Sequence, residues 1–207
     1  MDAVWMVLGA LSAAAGGAFG WTFTEYALHN WAGHKGKGRN RFSKDHLRHH
    51  SKGDWFAPSQ DKAKLAAMVA GTMLPVAMLA MGWLLGAAFT TGFMACYIGY
   101  EVLHRRLHTH PPKGRFGRWA RKNHFHHHFC DPQVNHGVTT PIWDRVFGTH
   151  VTPQIIPVPE RLAMVWLLDP ATGDVHKDYS HDYRLVTREE RRQQARRKKI
   201  SAALATA

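Results

Sequence analysis

The chain has 207 residues, with 27 Lys and Arg against 15 Asp and Glu and a further 16 His, for a formal charge of +12 with histidine neutral. An apolar content of 45% with eight Trp excludes a disordered chain. The two cysteines, Cys96 and Cys130, exclude a disulfide framework and a cysteine-rich zinc ribbon.

Residues 3–24 carry no charged side chain, and a bilayer core takes about 20 apolar residues, so this stretch is long enough to span. Residues 12–15 imitate a signal-peptide cleavage site. The segment ahead of them holds Asp2 and no Lys or Arg, the wrong sign for a signal, so a retained span is expected. A basic segment follows, with Lys35, Lys37, Arg39, Arg41, Lys44, Arg48, Lys52 and Lys62. Residues 65–100 are again uncharged and long enough for a hairpin of two spans turning near residues 82–86, with Pro75 inside the first helix. The expected spans are 3–24, 63–82 and 85–104. The mean hydropathy of −0.33 hides them because the rest of the chain is so polar. Placing both basic regions on the cytoplasmic side leaves the N-terminus outside. The basic residues are then explained by topology, which argues against nucleic-acid binding.

Beyond the hairpin, residues 115–129 suit a basic helix bearing aromatic residues. Residues 162–168 are apolar, too short to cross, and suited to lying on a membrane. Thr187, Arg188, Glu189 and Glu190 form a capping box. It opens a charged helix through Arg191, Arg192, Arg196, Arg197, Lys198 and Lys199, which suits either plain solvation or anionic lipid, at about 1 kcal/mol per basic residue. The expected fold is all-α: a multi-pass helical membrane protein with three spans. Its membrane domain covers 1–183, with residues 105–183 forming a histidine-rich helical cap on the cytoplasmic side, and a basic tail covers 184–207.

The histidines carry the chemistry. His29 and His34 make HxxxxH, His46, His49 and His50 make HxxHH, His104 and His108 make HxxxH, and His124, His127 and His128 make a second HxxHH. On an α-helix i and i+4 lie about 40° apart and i and i+3 about 60° apart, so each HxxHH is expected to converge on one face. HxxxxH turns through about 140° and does not fit one face. His29 is therefore expected at the end of the first span and His34 on a loop after Gly33. All four groups border expected spans on one side of the membrane, so they can gather into one site. Neutral imidazole is a good ligand for Zn, Fe, Cu or Ni, and ten nitrogens suit two metals. Such a cationic site calls for carboxylates nearby; Glu25, Asp45, Glu101, Asp131 and Asp144 are close in sequence. Glu101 also stands three residues before His104, the spacing of carboxylate-rich di-iron bundles; a second copy is lacking, so Glu101 is expected beside the metals. His110, His126, His136, His150, His176 and His181 are expected to be surface or capping residues, with His136 the best placed of them for a site role. No HExxH is present, which argues against a metalloprotease of that type.

The order HxxxxH, HxxHH, membrane hairpin, HxxxH, HxxHH resembles the fatty acid hydroxylase/sterol desaturase superfamily of membrane-bound di-iron oxygenases. So do Tyr100-Glu101 ahead of His104 and the run from Asn135 to Thr149, which contains Trp143-Asp144 and Phe147-Gly148-Thr149. The resemblance covers roughly residues 25–150. It implies an integral membrane oxygenase that hydroxylates or desaturates a lipid C–H bond with O2. The ten clustered histidines would ligate two iron ions (zinc being possible in purified protein), with Glu101, Asp45, His136 and Asp144 around them. His136 departs from the pattern, where an aromatic residue is usual. No fused heme domain is present in the sequence, so a separate ferredoxin- or cytochrome b5-like protein would supply electrons, and the lipid would enter from the bilayer. The expected location is a bacterial inner membrane. A non-enzymatic metal-binding or metal-handling membrane protein is the alternative; a transporter would place ligands within the spans, and the uncharged stretches hold none.

Overall fold

A computed structural model describes residues 2–193 together with Arg196 and Ile200. Helix α1 (Ala3–Ala27) continues without a break into a π-helical turn (Leu28–His34), followed by α2 (Arg41–Ser51), α3 (Ser59–Met81), α4 (Trp83–Thr109), α5 (Gly114–Phe129) and α6 (Ile142–Val146). The Asn40 side chain caps α2 by accepting a hydrogen bond from the Ser43 N–H at 2.7 Å. Pro75 sits inside α3 without ending it. Gly82 separates α3 from α4 at φ +82°, a left-handed conformation that costs glycine little, so the hairpin turns at the first residue of the expected stretch.

Helix α4 packs against both α1 and α3. Its crossing with α1 depends on small residues. A Cβ added at Gly17 would fall 1.9 Å from the Phe89 carbonyl oxygen, and one at Gly92 1.9 Å from that of Ala14. Such close backbone approach is how helices associate in lipid, where apolar burial supplies no drive. Among the described residues two helices, Ala3–His34 and Ser59–Met81, are long and apolar enough to cross a membrane. Their outer faces are open; Leu79 is 88% exposed and Val4 66%. Helix α4 starts equally free of charge but ends in Glu101, His104, Arg105, Arg106 and His108.

The fold is mostly helical but not all-α. Strands β1 (Ile156–Pro159) and β2 (Tyr183–Val186) form a parallel pair with Ile156 opposite Tyr183. β1 packs on α5, and the cap core gathers Leu107, Phe125, Ile156, Val158, Leu167 and Tyr183. Residues 162–168, suited by composition to lying on a membrane, run from the end of one 3₁₀ turn (Glu160–Leu162) through a second (Val165–Leu167), bury Met164 and Leu167 in this core and leave Val165 exposed. Trp166 Nε1 donates to the His108 carbonyl at 3.1 Å, which ties this segment to α4. The capping box forms: Thr187 N–H donates to Glu190 Oε2 and Glu190 N–H to Thr187 Oγ1. Arg197, Lys198 and Lys199 of the expected basic helix lie outside the described residues.

Candidate metal centre

The ten clustered histidines meet as two sets of five. Set A is His29, His34, His46, His50 and His127; set B is His49, His104, His108, His124 and His128; within each set the ligand atoms lie within 4.8 Å of one another. Each set takes a pair from a long apolar helix (His29 and His34 after α1, His104 and His108 on α4). Each takes the i, i+4 pair of one HxxHH and the middle histidine of the other. Each HxxHH triplet is therefore divided between the two sets while sharing one side of its helix. The i, i+4 pair and the i+3 ring lie on opposite sides of the helix's facing line, and one set of ligands sits on each side of it. His50 and His128, one from each set, stack at 4.0 Å across the boundary.

His29 and His34 correct an expectation. Both lie on one continuous helix, because residues 28–34 are wound with i→i+5 bonds. Five residues then make about one turn, and the two rings come to stack at 5.5 Å.

Several rings are oriented by backbone carbonyls. His29 Nδ1 meets the His136 carbonyl at 2.5 Å, His127 Nδ1 that of Val134 at 2.7 Å, and His49 Nδ1 that of Trp55 at 2.8 Å. A carbonyl only accepts, so each Nδ1 carries the proton and each neutral ring presents a bare Nε2. Burial, reinforced by neighbouring imidazoles, holds His46, His50, His124, His127 and His128 well below the usual histidine range. Burial likewise brings His49 down to about 4.

These neutral rings confront one another. His127 Nε2 lies 2.9 Å from both His29 Nε2 and His34 Nε2 and 3.1 Å from His50 Nε2. The His29 and His127 atoms are both lone-pair acceptors, so no proton joins them and the contact is repulsive unless a cation lies between. In set B, His108 Nε2 and His124 Nε2 are 2.8 Å apart, and His49 Nε2 is buried without a partner. Two nitrogens each about 2.1 Å from one metal at right angles are about 3.0 Å apart, so the donor sets fit metal ions.

The ring positions fit a five-donor arrangement. In set A, His29 and His50 are 6.4 Å apart, as are His46 and His127. His34 stays within 5.5 Å of all four, the relation of an apex to a square base. In set B, His49 and His124 are the distant pair at 6.5 Å, and His108 stays within 5.5 Å of each partner. Both apical rings lie one turn beyond the basal ring of the same helix, away from the apolar segment.

Of the residues expected around the ligands, His136 and Asp144 are beside set A. The buried His136 ring is 5.2–5.8 Å from those of His127, His29 and His34. Asp144 accepts from the His136 and Gly137 N–H groups and from Thr149 Oγ1 at 2.7–2.8 Å. Burial pushes its carboxyl up, but the His136 side chain and these donors outweigh that and leave it below the usual range. Glu101 and Asp45 turn elsewhere. Glu101 pairs with Lys62 at 2.5 Å, one turn nearer the apolar segment than His104, and Asp45, rotated off the histidine face of α2, pairs with Arg41 at 3.9 Å. Glu25, near a cluster in sequence, is buried and accepts from Val138 N, Thr139 N and Thr139 Oγ1. Asp144 and Glu25 thus grip the 136–139 loop whose carbonyl orients His29. His126 belongs to neither set.

Sequence reasoning missed Arg121. Its guanidinium is buried and donates to the carbonyls of Arg106, His110 and Gly117, which fastens the end of α4 to α5 where four set B ligands sit. Nothing marks it among 27 basic residues. The orienting carbonyls carry no side-chain signal at all.

The fatty acid hydroxylase family model matches residues 14–149. Dihydroceramide fatty acyl 2-hydroxylase FAH2 of Arabidopsis thaliana is 30% identical over 140 residues, covering 64% of this chain and 58% of the relative. Ceramide very long chain fatty acid hydroxylase SCS7 of Saccharomyces cerevisiae is 30% identical over 151 residues, covering 66% and 37%. The chain thus spans little more than half of the plant relative's length and less of the yeast one's. A solved structure titled full length scs7p, with only the hydroxylase domain visible, superposes with a TM-score of 0.56 at 24% identity over 74% of this chain and 59% of that one, a likeness of fold.

Proposed function

The chain belongs to the fatty acid hydroxylase family, and from that premise we propose that it hydroxylates a C–H bond of an acyl lipid with O2 at two iron ions held by sets A and B. The confrontation of bare imidazole nitrogens carries the reading, since the Nε2 atoms of His29 and His127 face each other with no proton to join them, within two compact sets of five. Iron would supply O2 activation and electron transfer at this site, chemistry that zinc, having no redox change, cannot.

The chain's own part is positional. Helices α1, α3 and α4 are the proposed spans, with the N-terminus outside and the histidine sets on the cytoplasmic side. The membrane domain would cover 1–183 and the basic tail 184–207. His29 and His104 stand at the span-side end of their pairs, so a lipid chain entering laterally from the bilayer would approach the sets from that end. The apical rings His34 and His108 and the cap core close the opposite side, and burial keeps water from the reacting carbon. A separate one-electron donor protein would supply the electrons, and anionic lipid would attract the tail.

The test is the full chain in a bilayer, loaded anaerobically with iron and given lipid extract, reductant and isotopically labelled O2. A labelled hydroxyl on an acyl lipid and close to two irons per chain are expected. A product lacking two hydrogens and carrying no label would make it a desaturase. Iron-loaded protein that alters no lipid would overturn the reading.

A further inference from the structure

Hydroxylation as proposed balances as RH + O2 + 2 e⁻ + 2 H⁺ → ROH + H2O, so each turnover needs two electrons from outside the chain. Where they enter is not fixed by the histidine sets, but one surface has the charge and the position for it. Arg161, Arg188, Arg191 and Arg192 line a hollow of about 630 Å³, with Pro159 and Val186 beneath and Glu160 as its one carboxylate. The four arginines are exposed, and the hollow lies at the C-terminal ends of β1 and β2, where Pro159 and Val186 are the last strand residues.

Arg161 connects this hollow to the centre. Its Nη1 donates to the Ser51 carbonyl at 3.4 Å. Ser51 directly follows His49 and His50, which belong to set B and set A respectively. From the arginine surface, one hydrogen bond and one or two residues of α2 lead to a ligand of each set. We infer that this hollow, floored by Pro159 and Val186, receives a small acidic one-electron carrier protein, and that electrons pass from it along the Arg161–Ser51 contact to His50 and His49. The inference rests on the hydroxylase reading. A carrier protein fits better than a lipid surface because the apolar floor residues are buried. Opposite charges across such a surface speed encounter and fix orientation, with an effect that fades as salt rises.

The experiment uses the iron-loaded full chain in bilayer discs of zwitterionic lipid, with a plant-type [2Fe–2S] ferredoxin and a soluble cytochrome b5 fragment as acidic carriers. Binding to at least one carrier, weakened by salt, is expected. Arg191→Glu with Arg192→Glu should weaken it by roughly tenfold or more, with metal content unchanged. Arg39→Glu, a charge reversal elsewhere, should leave it intact. Arg161→Gln should keep most binding yet slow oxidation of the bound, reduced carrier in a single turnover. Failure of both carriers to bind, equal loss with Arg39→Glu, or binding lost only to discs containing anionic lipid would overturn the inference. Turnover driven by a small-molecule reductant separates the two proposals. If it yields hydroxylated lipid while the carriers do not bind, the docking site fails and the hydroxylase stands. If no reductant yields product, the hydroxylase reading itself fails.

Discussion

Sets A and B are built from the same parts and held in different ways. In set A, two rings are aimed by carbonyls of the 134–136 segment, and two buried carboxylates, Glu25 and Asp144, grip the loop that follows. In set B, His49 alone has a carbonyl partner for its ring among the described residues, and both ring nitrogens of His128, buried although the residue is partly exposed, lack partners. Its geometry comes from the packing of α4 on α5, secured by Arg121 and by Trp166. One set is oriented by hydrogen bonds and the other by helix placement, so different substitutions should loosen each.

The largest expected effect falls on the ligands themselves. His127→Ala should abolish lipid oxidation and release the set A ion. His126→Ala, one residue away and in neither set, should leave both ions bound; elemental analysis with a lipid assay distinguishes them. Equal loss of metal in the two variants would mean that the α5 register is wrong.

Asp144→Asn should act on set A alone. It leaves the volume but weakens the grip on the His136 and Gly137 N–H groups. Loss of such an orienting partner typically lowers metal affinity roughly 10–100-fold. Competition with a chelator should show one weakened ion and one unchanged.

Arg121→Ala is the counterpart for set B. It removes hydrogen bonds from a buried cation to three carbonyls, of which a single one is worth about 1.5–3 kcal/mol. Thermal unfolding should move by at least that much, and the chelator should now remove the set B ion first. A variant that loses both ions together would show that the sets are mechanically one unit.

The smallest effect is a titration. The His49 ring has an ordinary value of 6.5 and is brought down to about 4 in the fold. The unfolded chain therefore takes up protons first as pH falls. The stability due to the neutral ring is complete above about 6.5 and declines as pH drops toward 4. Metal-free protein should lose stability across that window in denaturant titrations. Metal-loaded protein should release ions there, because protons and metal compete for the same lone pairs. Stability that rose on acidification would contradict the neutral-ring assignment.

Much of this was legible in the residues. The uncharged runs and the capping box follow from local composition and short-range spacing, and so do the histidine groups, which depend on no distant partner. The expectation that failed at the site failed for a geometric reason. The spacing of His29 and His34 excludes one face only if the helix is α, and a π turn removes that exclusion. The triplets His46, His49, His50 and His124, His127, His128 share a side of their helices, but spacing does not say whether one centre or two lie against it. The meeting of the α2 histidines with the rings of the π-helical turn on one side and of α5 on the other makes that division. It also selects which backbone carbonyls aim the rings, turns Glu101 to Lys62 instead of to a histidine, and makes Arg121 the tie between α4 and α5. The sequence by itself determined which nitrogens are available and roughly where they stand. How they are shared between two centres depends on directions in space that only the packed helices define.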